Sequence, residues 1–372
     1  MRFRGTIVFL SAVLLAAGCK TTPVASPSAY SRFVGIGDFS SFTRGRDADG
    51  NIVLLSPVIQ SPIHWDQLIL SWNADAPTGT ALKVEVTALA DGVRTRFFVL
   101  GNWSLNSPFF PRSSLRGQQD TDGSVKTDTL VLTRPASAAQ IRLTLEGTNG
   151  LLPNVGFLGL SFSNFRQPAS TRPPNPAAWS CSVATPEESQ YGYAEGRGWC
   201  SPTSVAMVLA YWARTLDRPE LKVLIPQVAA AVYDPAYPGT GNWSFNAAFA
   251  GSLPGMRSYV SRLDDLSEVE AWIGVGIPVV LSARWDLLEP GRHPDPEGHL
   301  IVCVGFTANG DVVVNEPATR LDRGERVRRI YRRDDVRRAW GASGNTVYLI
   351  YPLGEKIPAN RYGQWNTDDA RY

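Results

Sequence analysis

The sequence predicts a multidomain chain, an N-terminal all-β sandwich followed by an α+β domain, on three observations. From Phe33 to about Phe165, short apolar runs are separated by turn signals with no long helical period, the texture of a sandwich. Arg166 to Ser180 carries Pro168, Pro173, Pro174 and Pro176, a semi-rigid linker and the clearest boundary in the chain. Beyond it helical patterns come first and strand patterns after, the order of an α+β domain. With 372 residues, 44% of them hydrophobic, the chain has material for two cores and is not a disordered protein.

Taken in order, residues 1–18 read as an export signal. Arg2 and Arg4 supply a positive start, Thr6 to Ala17 is almost wholly apolar but short for a bilayer span, and Ala16-Ala17-Gly18-Cys19 is a small-residue cleavage site. The segment resembles a bacterial lipoprotein signal, with Ala16 where leucine is favoured. That resemblance implies lipidation of Cys19 and a membrane anchor in the cell envelope, and Lys20 suits the outer membrane of a two-membrane host. Residues 19–33 are small, polar and proline-bearing, and suit a tether.

Residues 34–165 form the expected sandwich. Runs such as Leu68-Ile69-Leu70-Ser71-Trp72, Leu82 to Val86 and Ile141 to Leu145 lie between turn signals at Asp49-Gly50, Asn73-Ala74-Asp75, Asp91-Gly92 and Asp122-Gly123. Asp120, Asp122 and Asp128 could suggest a calcium loop, although a hairpin turn explains the first two without a metal. Gly101-Asn102-Trp103-Ser104 recurs as Gly241-Asn242-Trp243-Ser244, but the flanks differ and the repeat is chance.

After the linker at 166–180, residues 181–354 carry helices expected after Cys200, over Leu221–Val232 and over Leu266–Ile273. Strands are expected over Pro278–Ser282, His299–Phe306, Asp311–Asn315 and Thr346–Tyr351, and residues 355–372 form a polar tail that Trp365 could pin. Gly239 to Asn246 reads equally as a cleft wall or as local core. The nine arginines among Arg320–Arg338 read as a solvated face.

The chemistry centres on Gly198-Trp199-Cys200-Ser201-Pro202-Thr203-Ser204, which sets one cysteine at the mouth of an apolar helix. Proline is tolerated in a first turn, and the helix N-terminus favours a thiolate. Such a nucleophile needs a base, a group to orient the base, and oxyanion donors. Of three histidines, His64 lies in the sandwich and His293 in a loop, so His299, at the start of an apolar strand, is the best base. A hairpin through Ala308-Asn309-Gly310 would bring Asn315 and Glu316 back beside it, and adjacent strand residues point oppositely, so only one of the two can orient the imidazole. Gln190, ten positions before Cys200, is the candidate side-chain oxyanion donor.

Glu187-Glu188-Ser189-Gln190, Trp199-Cys200-Ser201-Pro202-Thr203-Ser204-Val205, Gly241 to Asn246, Gly298-His299-Leu300-Ile301-Val302 and Val314-Asn315-Glu316-Pro317-Ala318 together resemble the bacteriocin-processing, double-glycine type of papain-like cysteine peptidase. The resemblance covers about Ser180 to Pro352, with weaker likeness in the β-rich region. It implies a papain-like peptidase domain with Cys200 as nucleophile, His299 as general base and Gln190 as oxyanion donor. The family usually has aspartate where this chain has Glu316, so either Glu316 reaches His299 or Asn315 serves, as asparagine does in papain.

The expected activity is therefore hydrolysis of peptide or protein substrates by a membrane-tethered thiol peptidase. An amidase or acyltransferase acting on cell-wall peptides, or an inactive envelope-binding protein, are the other readings. No metal or organic cofactor is called for at these spacings. Thirty-six basic against 34 acidic residues gives no argument for nucleic acid. Cys181 and Cys303 are left either to pair or to stand as two buried thiols.

Overall fold

The computed structural model describes residues 29–105, 109–291 and 297–367. Cys19, the signal segment, most of the tether, His293 and the last five residues lie outside the described residues. The N-terminal domain is antiparallel throughout, with strands β1 (Ser31–Ile36), β2 (Thr43–Arg46), β3 (Ile52–Leu55), β4 (Ile59–Asp75), β5 (Thr80–Ala90), β6 (Val93–Arg94), β7 (Phe98–Trp103), β8 (Gly123–Lys126), β9 (Thr129–Gly147) and β10 (Asn154–Ser163). Its two long strands do double duty. Residues 129–132 of β9 pair with β8 and, through 129–131, with β4, whereas residues 138–147 pair with β5 and, in part, with β3 and the start of β4. Register breaks around Trp65 let β4 and β9 bend, so the layers are closed from one continuous sheet.

The C-terminal domain holds α1 (Cys200–Thr215), α2 (Ile225–Val232), α3 (Trp243–Ser252), α4 (Leu266–Gly274), α5 (Trp285–Leu288) and α6 (Arg333–Gly341). Its strands are β11 (Met256–Arg262), β12 (Val279–Arg284), β13 (Gly298–Phe306), β14 (Val312–Asn315), β15 (Arg328–Tyr331) and β16 (Thr346–Pro352), in the order β11-β16-β12-β13-β14-β15. The helix expected over Leu221–Val232 begins only at Ile225, because Pro226 fits the first turn and no position before it. Sequence periodicity missed β11, β15, α5, α3 and α6. Among the last two, α6 falls in the arginine-rich stretch, and the ion pairs there are not all solvated: Arg333 reaches the fully buried Glu270 at 2.6 Å, and Arg329 bridges Glu289 and Glu325 at 2.7 Å each.

Although the linker separates the domains in sequence, they share one core. Leu68 to Ala74 is buried without alternation, because β4 lies against both its own sheet and the pair α3 and β11. Phe245 of α3 sits between Trp72 and Trp103, ring centroids 6.1 and 5.6 Å away, and Gly101 is bare so that this ring can approach: a Cβ there would lie 2.9 Å from it. Gly239–Asn246 is thus mostly local core and helix start. Asn242 caps α3 through the Phe245 N–H at 3.1 Å. Phe245→Ala is expected to cost about 3–5 kcal/mol of stability, read as a lowered midpoint of chemical denaturation.

At the edge of the second sheet, β11 has no strand on its outer side, and side chains of the first domain take its backbone groups instead. Asn73 accepts from the Ser258 N–H at 3.1 Å and donates to the Ser258 carbonyl at 2.6 Å, as a neighbouring strand would. Ser71 accepts from the Val260 N–H and Ser31 donates to the Arg262 carbonyl. Asp128 takes the Trp243 N–H at 2.5 Å, and burial pushes its carboxyl up to about 6. Asp128 is therefore spent on the domain junction, while Asp120 holds the turn N–H groups of Asp122 and Gly123 and pairs with Arg96. The calcium loop is not assembled.

The segment after β16 is packed as far as it is described. Trp365 is buried edge-on against Trp272 with its indole N–H on the Pro358 carbonyl, and the Gly363 carbonyl takes the Phe33 N–H at 2.8 Å. Cys181 and Cys303 are separate free thiols, and burial pushes the Cys303 thiol up to about 12.

Candidate active site

Cys200 is the first residue of α1, half-buried, with Pro202 in the first turn where a missing N–H costs nothing. The chain enters it through Gly198, whose φ of +82° is open to glycine at little cost, and Thr240 holds the Gly198 carbonyl at 2.9 Å. Upstream, three tight turns fold the loop onto itself: Tyr193 N–H to the Gln190 carbonyl, Gly196 N–H to Tyr193, and Trp199 N–H to Gly196. Gly196 admits no side chain, since a Cβ would lie 1.7 Å from the Gln190 carbonyl oxygen. Buried Gln190 stands at the head of this loop, its N–H on the Pro317 carbonyl at 2.9 Å and its side-chain oxygen without a protein partner.

His299 opens β13 and is buried, and Cys200 at the start of α1 is one of the groups that act on its imidazole. Its Nε2 lies 2.6 Å from Glu316 Oε1, which leaves Nδ1 for a second partner. The hairpin of β13 and β14, paired Val302 to Asn315, delivers that carboxylate. Glu316 Oε1 also accepts from the Ala318 N–H at 2.8 Å, and Oε2 stands 3.2 Å from the Tyr331 hydroxyl. Asn315 is not part of this arrangement, contrary to the possibility left open by the sequence. It turns to the opposite face, where its amide donates to the Thr185 and Pro186 carbonyls and accepts from Arg328.

Burial alone would lower the His299 imidazole, but the Glu316 charge, the hydrogen bonds to Cys200 and Glu316, and the Cys200 charge outweigh it and lift the pKa to about 10. Burial alone would raise the Glu316 carboxyl. The His299 charge and hydrogen bond, the Ala318 N–H and Arg329 instead hold it below its ordinary range. An imidazolium held by a carboxylate can stabilise a nearby thiolate.

Two neighbours escaped sequence reasoning. The Trp285 ring stacks on His299 at 4.3 Å between centroids and 11° between planes, fixing the imidazole and favouring its cation. The signal lay in register: β12 pairs Ala283 with His299, so the residue two beyond Ala283 overhangs the imidazole. Tyr331 was hidden among arginines on a strand that periodicity did not find. Among the described residues, no three His, Cys, Asp or Glu side chains gather as a metal site.

Residues 51–163 match the family model described as the peptidase C39 N-terminal domain, and residues 182–348 match the peptidase C39-like family. No curated protein matches the chain. Among solved structures, one described as a C39-like peptidase from Bacillus anthracis is 15% identical, covering 48% of this chain and all of its own, with a TM-score of 0.36. A structure of infectious bursal disease virus, Gt strain, is 12% identical over 41% of this chain and 38% of its own, with a TM-score of 0.24.

Proposed function

From a chain that belongs to the peptidase C39-like family, we propose an exported, membrane-anchored cysteine peptidase that hydrolyses peptide bonds through Cys200. The observation that carries this reading is the buried pair of His299 and Glu316, Nε2 to Oε1 at 2.6 Å, with Cys200 at the start of α1 acting on the same imidazole. In the proposed reaction the Cys200 thiolate attacks the peptide carbonyl carbon. The His299 imidazolium, held by Glu316 and Trp285, gives its Nδ1 proton to the departing amine. Water then attacks the thioester, His299 takes a proton from it, and the acid leaves as the thiolate re-forms. Gln190 and the Cys200 N–H are the proposed donors to the oxyanion.

The test is incubation with a proteome-derived peptide library and with a papain-type epoxide inhibitor. New peptide termini and one epoxide adduct, on Cys200, are expected. A Cys200 that labels no faster than a free model thiol, with no new termini, would sink the proposal. The anchor is tested separately: Cys19→Ser is expected to move the protein from the membrane fraction to the soluble envelope fraction, and an unchanged membrane fraction counts against lipidation of Cys19.

A further inference from the structure

Glu316 has a flexible side chain, and its torsions must be restrained if the carboxylate is to hold His299 in one orientation. One oxygen is fixed by His299 Nε2 and the Ala318 N–H, at 2.6 and 2.8 Å. The other faces the Tyr331 hydroxyl at 3.2 Å. That same hydroxyl lies 2.6 Å from Oε1 of Glu289, which also takes Arg329 at 2.7 Å. A phenol has one proton to give. Two carboxylates therefore compete for it, and at these distances Glu289 has the larger share.

We propose that Tyr331 is a positioning residue, dividing its hydroxyl proton between Glu316 and Glu289 and so setting how firmly Glu316 remains an anion beside His299. The inference rests on the Cys200, His299, Glu316 reading above. The charged and titratable groups around Glu316 are His299 on β13 with Cys200 beyond it on α1, Tyr331 and Arg329 on β15, Glu289 after α5, Tyr191 in the Gln190 loop, and Glu325 through Arg329. Burial and both carboxylates raise the phenol far above its ordinary range, so Tyr331 stays a neutral donor throughout.

The opposed partners give opposed expectations. Without the hydroxyl, the Glu316 anion loses a donor and becomes easier to protonate. Without the Glu289 charge, the proton goes over to Glu316, whose anion becomes harder to protonate. The readout is the strongly downfield proton resonance of the His299 Nε2–H, identified by its absence from Glu316→Gln and followed as pH is lowered in the full chain. In Tyr331→Phe its acid-side loss is expected about half a unit to one unit higher than in the parent, a shift equivalent to one hydrogen bond. In Glu289→Gln it is expected at lower pH. Equal midpoints in all three proteins, or shifts in the same direction, would overturn the role of Tyr331. Should Tyr331→Phe fail to fold, the direction in Glu289→Gln decides alone. A resonance that persists in Glu316→Gln would instead overturn the pairing of Glu316 with His299, and with it the reading of the site.

Discussion

Cys200→Ala is expected to abolish peptide hydrolysis, and Glu316→Gln to lower kcat/KM by roughly 100- to 10,000-fold, since an uncharged third member leaves the imidazole in the wrong protonation state. The pH profile separates the two roles. In the parent, the Glu316 charge and the partner hydrogen bonds overcome the burial of His299 and place its pKa at about 10. Activity requiring the imidazolium should therefore persist well into alkaline pH. In Glu316→Gln the main opposing charge is gone and burial pulls the imidazole down, so the alkaline limb should fall by several units. A profile unchanged in shape but scaled down would show that Glu316 does no more than pack. The same pair has a stability window. His299, raised from 6.5, contributes fully below that value and loses its contribution as pH rises through about 10. Glu316, lowered from 4.5, contributes fully above that value and loses its contribution as pH falls through its depressed pKa. Both contributions are whole between 4.5 and 6.5, and the parent should gain most over Glu316→Gln there in thermal midpoint.

The second large effect is expected from removal of the β domain. A chain beginning at Arg166 would leave the Ser258 and Val260 N–H groups of β11 without Asn73 and Ser71, and would expose Phe245 where Trp72 and Trp103 had covered it. An open apolar edge of this kind recruits other edges. The truncated chain is expected to aggregate on size-exclusion chromatography and to show no cooperative thermal transition. A monomeric fragment with a sharp transition would refute mutual dependence of the domains. Asn73→Ala is the milder version: it strands one buried donor and one buried acceptor on Ser258 and should cost about 2–4 kcal/mol.

Much of the site was legible because its parts announce themselves locally. Pro202, with Ser201 and Thr203 on either side of it, marks a helix start, and the turn Ala308-Asn309-Gly310 predicts the hairpin that returns Glu316 to His299. What stayed hidden depends on pairing between distant strands. Trp285 and Tyr331 reach the site only through the registers of β12 with β13 and of β14 with β15. Strand β11 was unreadable for a related reason. Its buried run Met256–Arg262 alternates neither by two nor by helical spacing, because side chains of another domain close its free edge. The choice between Asn315 and Glu316 was open in the sequence, since alternation says that one faces His299 and not which one. Only the bonds of Asn315 to Thr185 and Pro186 reveal its direction.

The packed segment around Trp365 has a consequence in time. The Gln364 amide reaches Ser31 of β1, the Gln364 carbonyl takes the hydroxyl of Ser261 in β11, and the Asn366 N–H meets Tyr259. These residues are synthesised after everything they fasten. While the ribosome still holds them, β1 and β11 lack their common clasp, and the junction between the domains can finish only once residues 364–366 have emerged. A nascent chain stalled before Ile357 should carry both domains without their final seam.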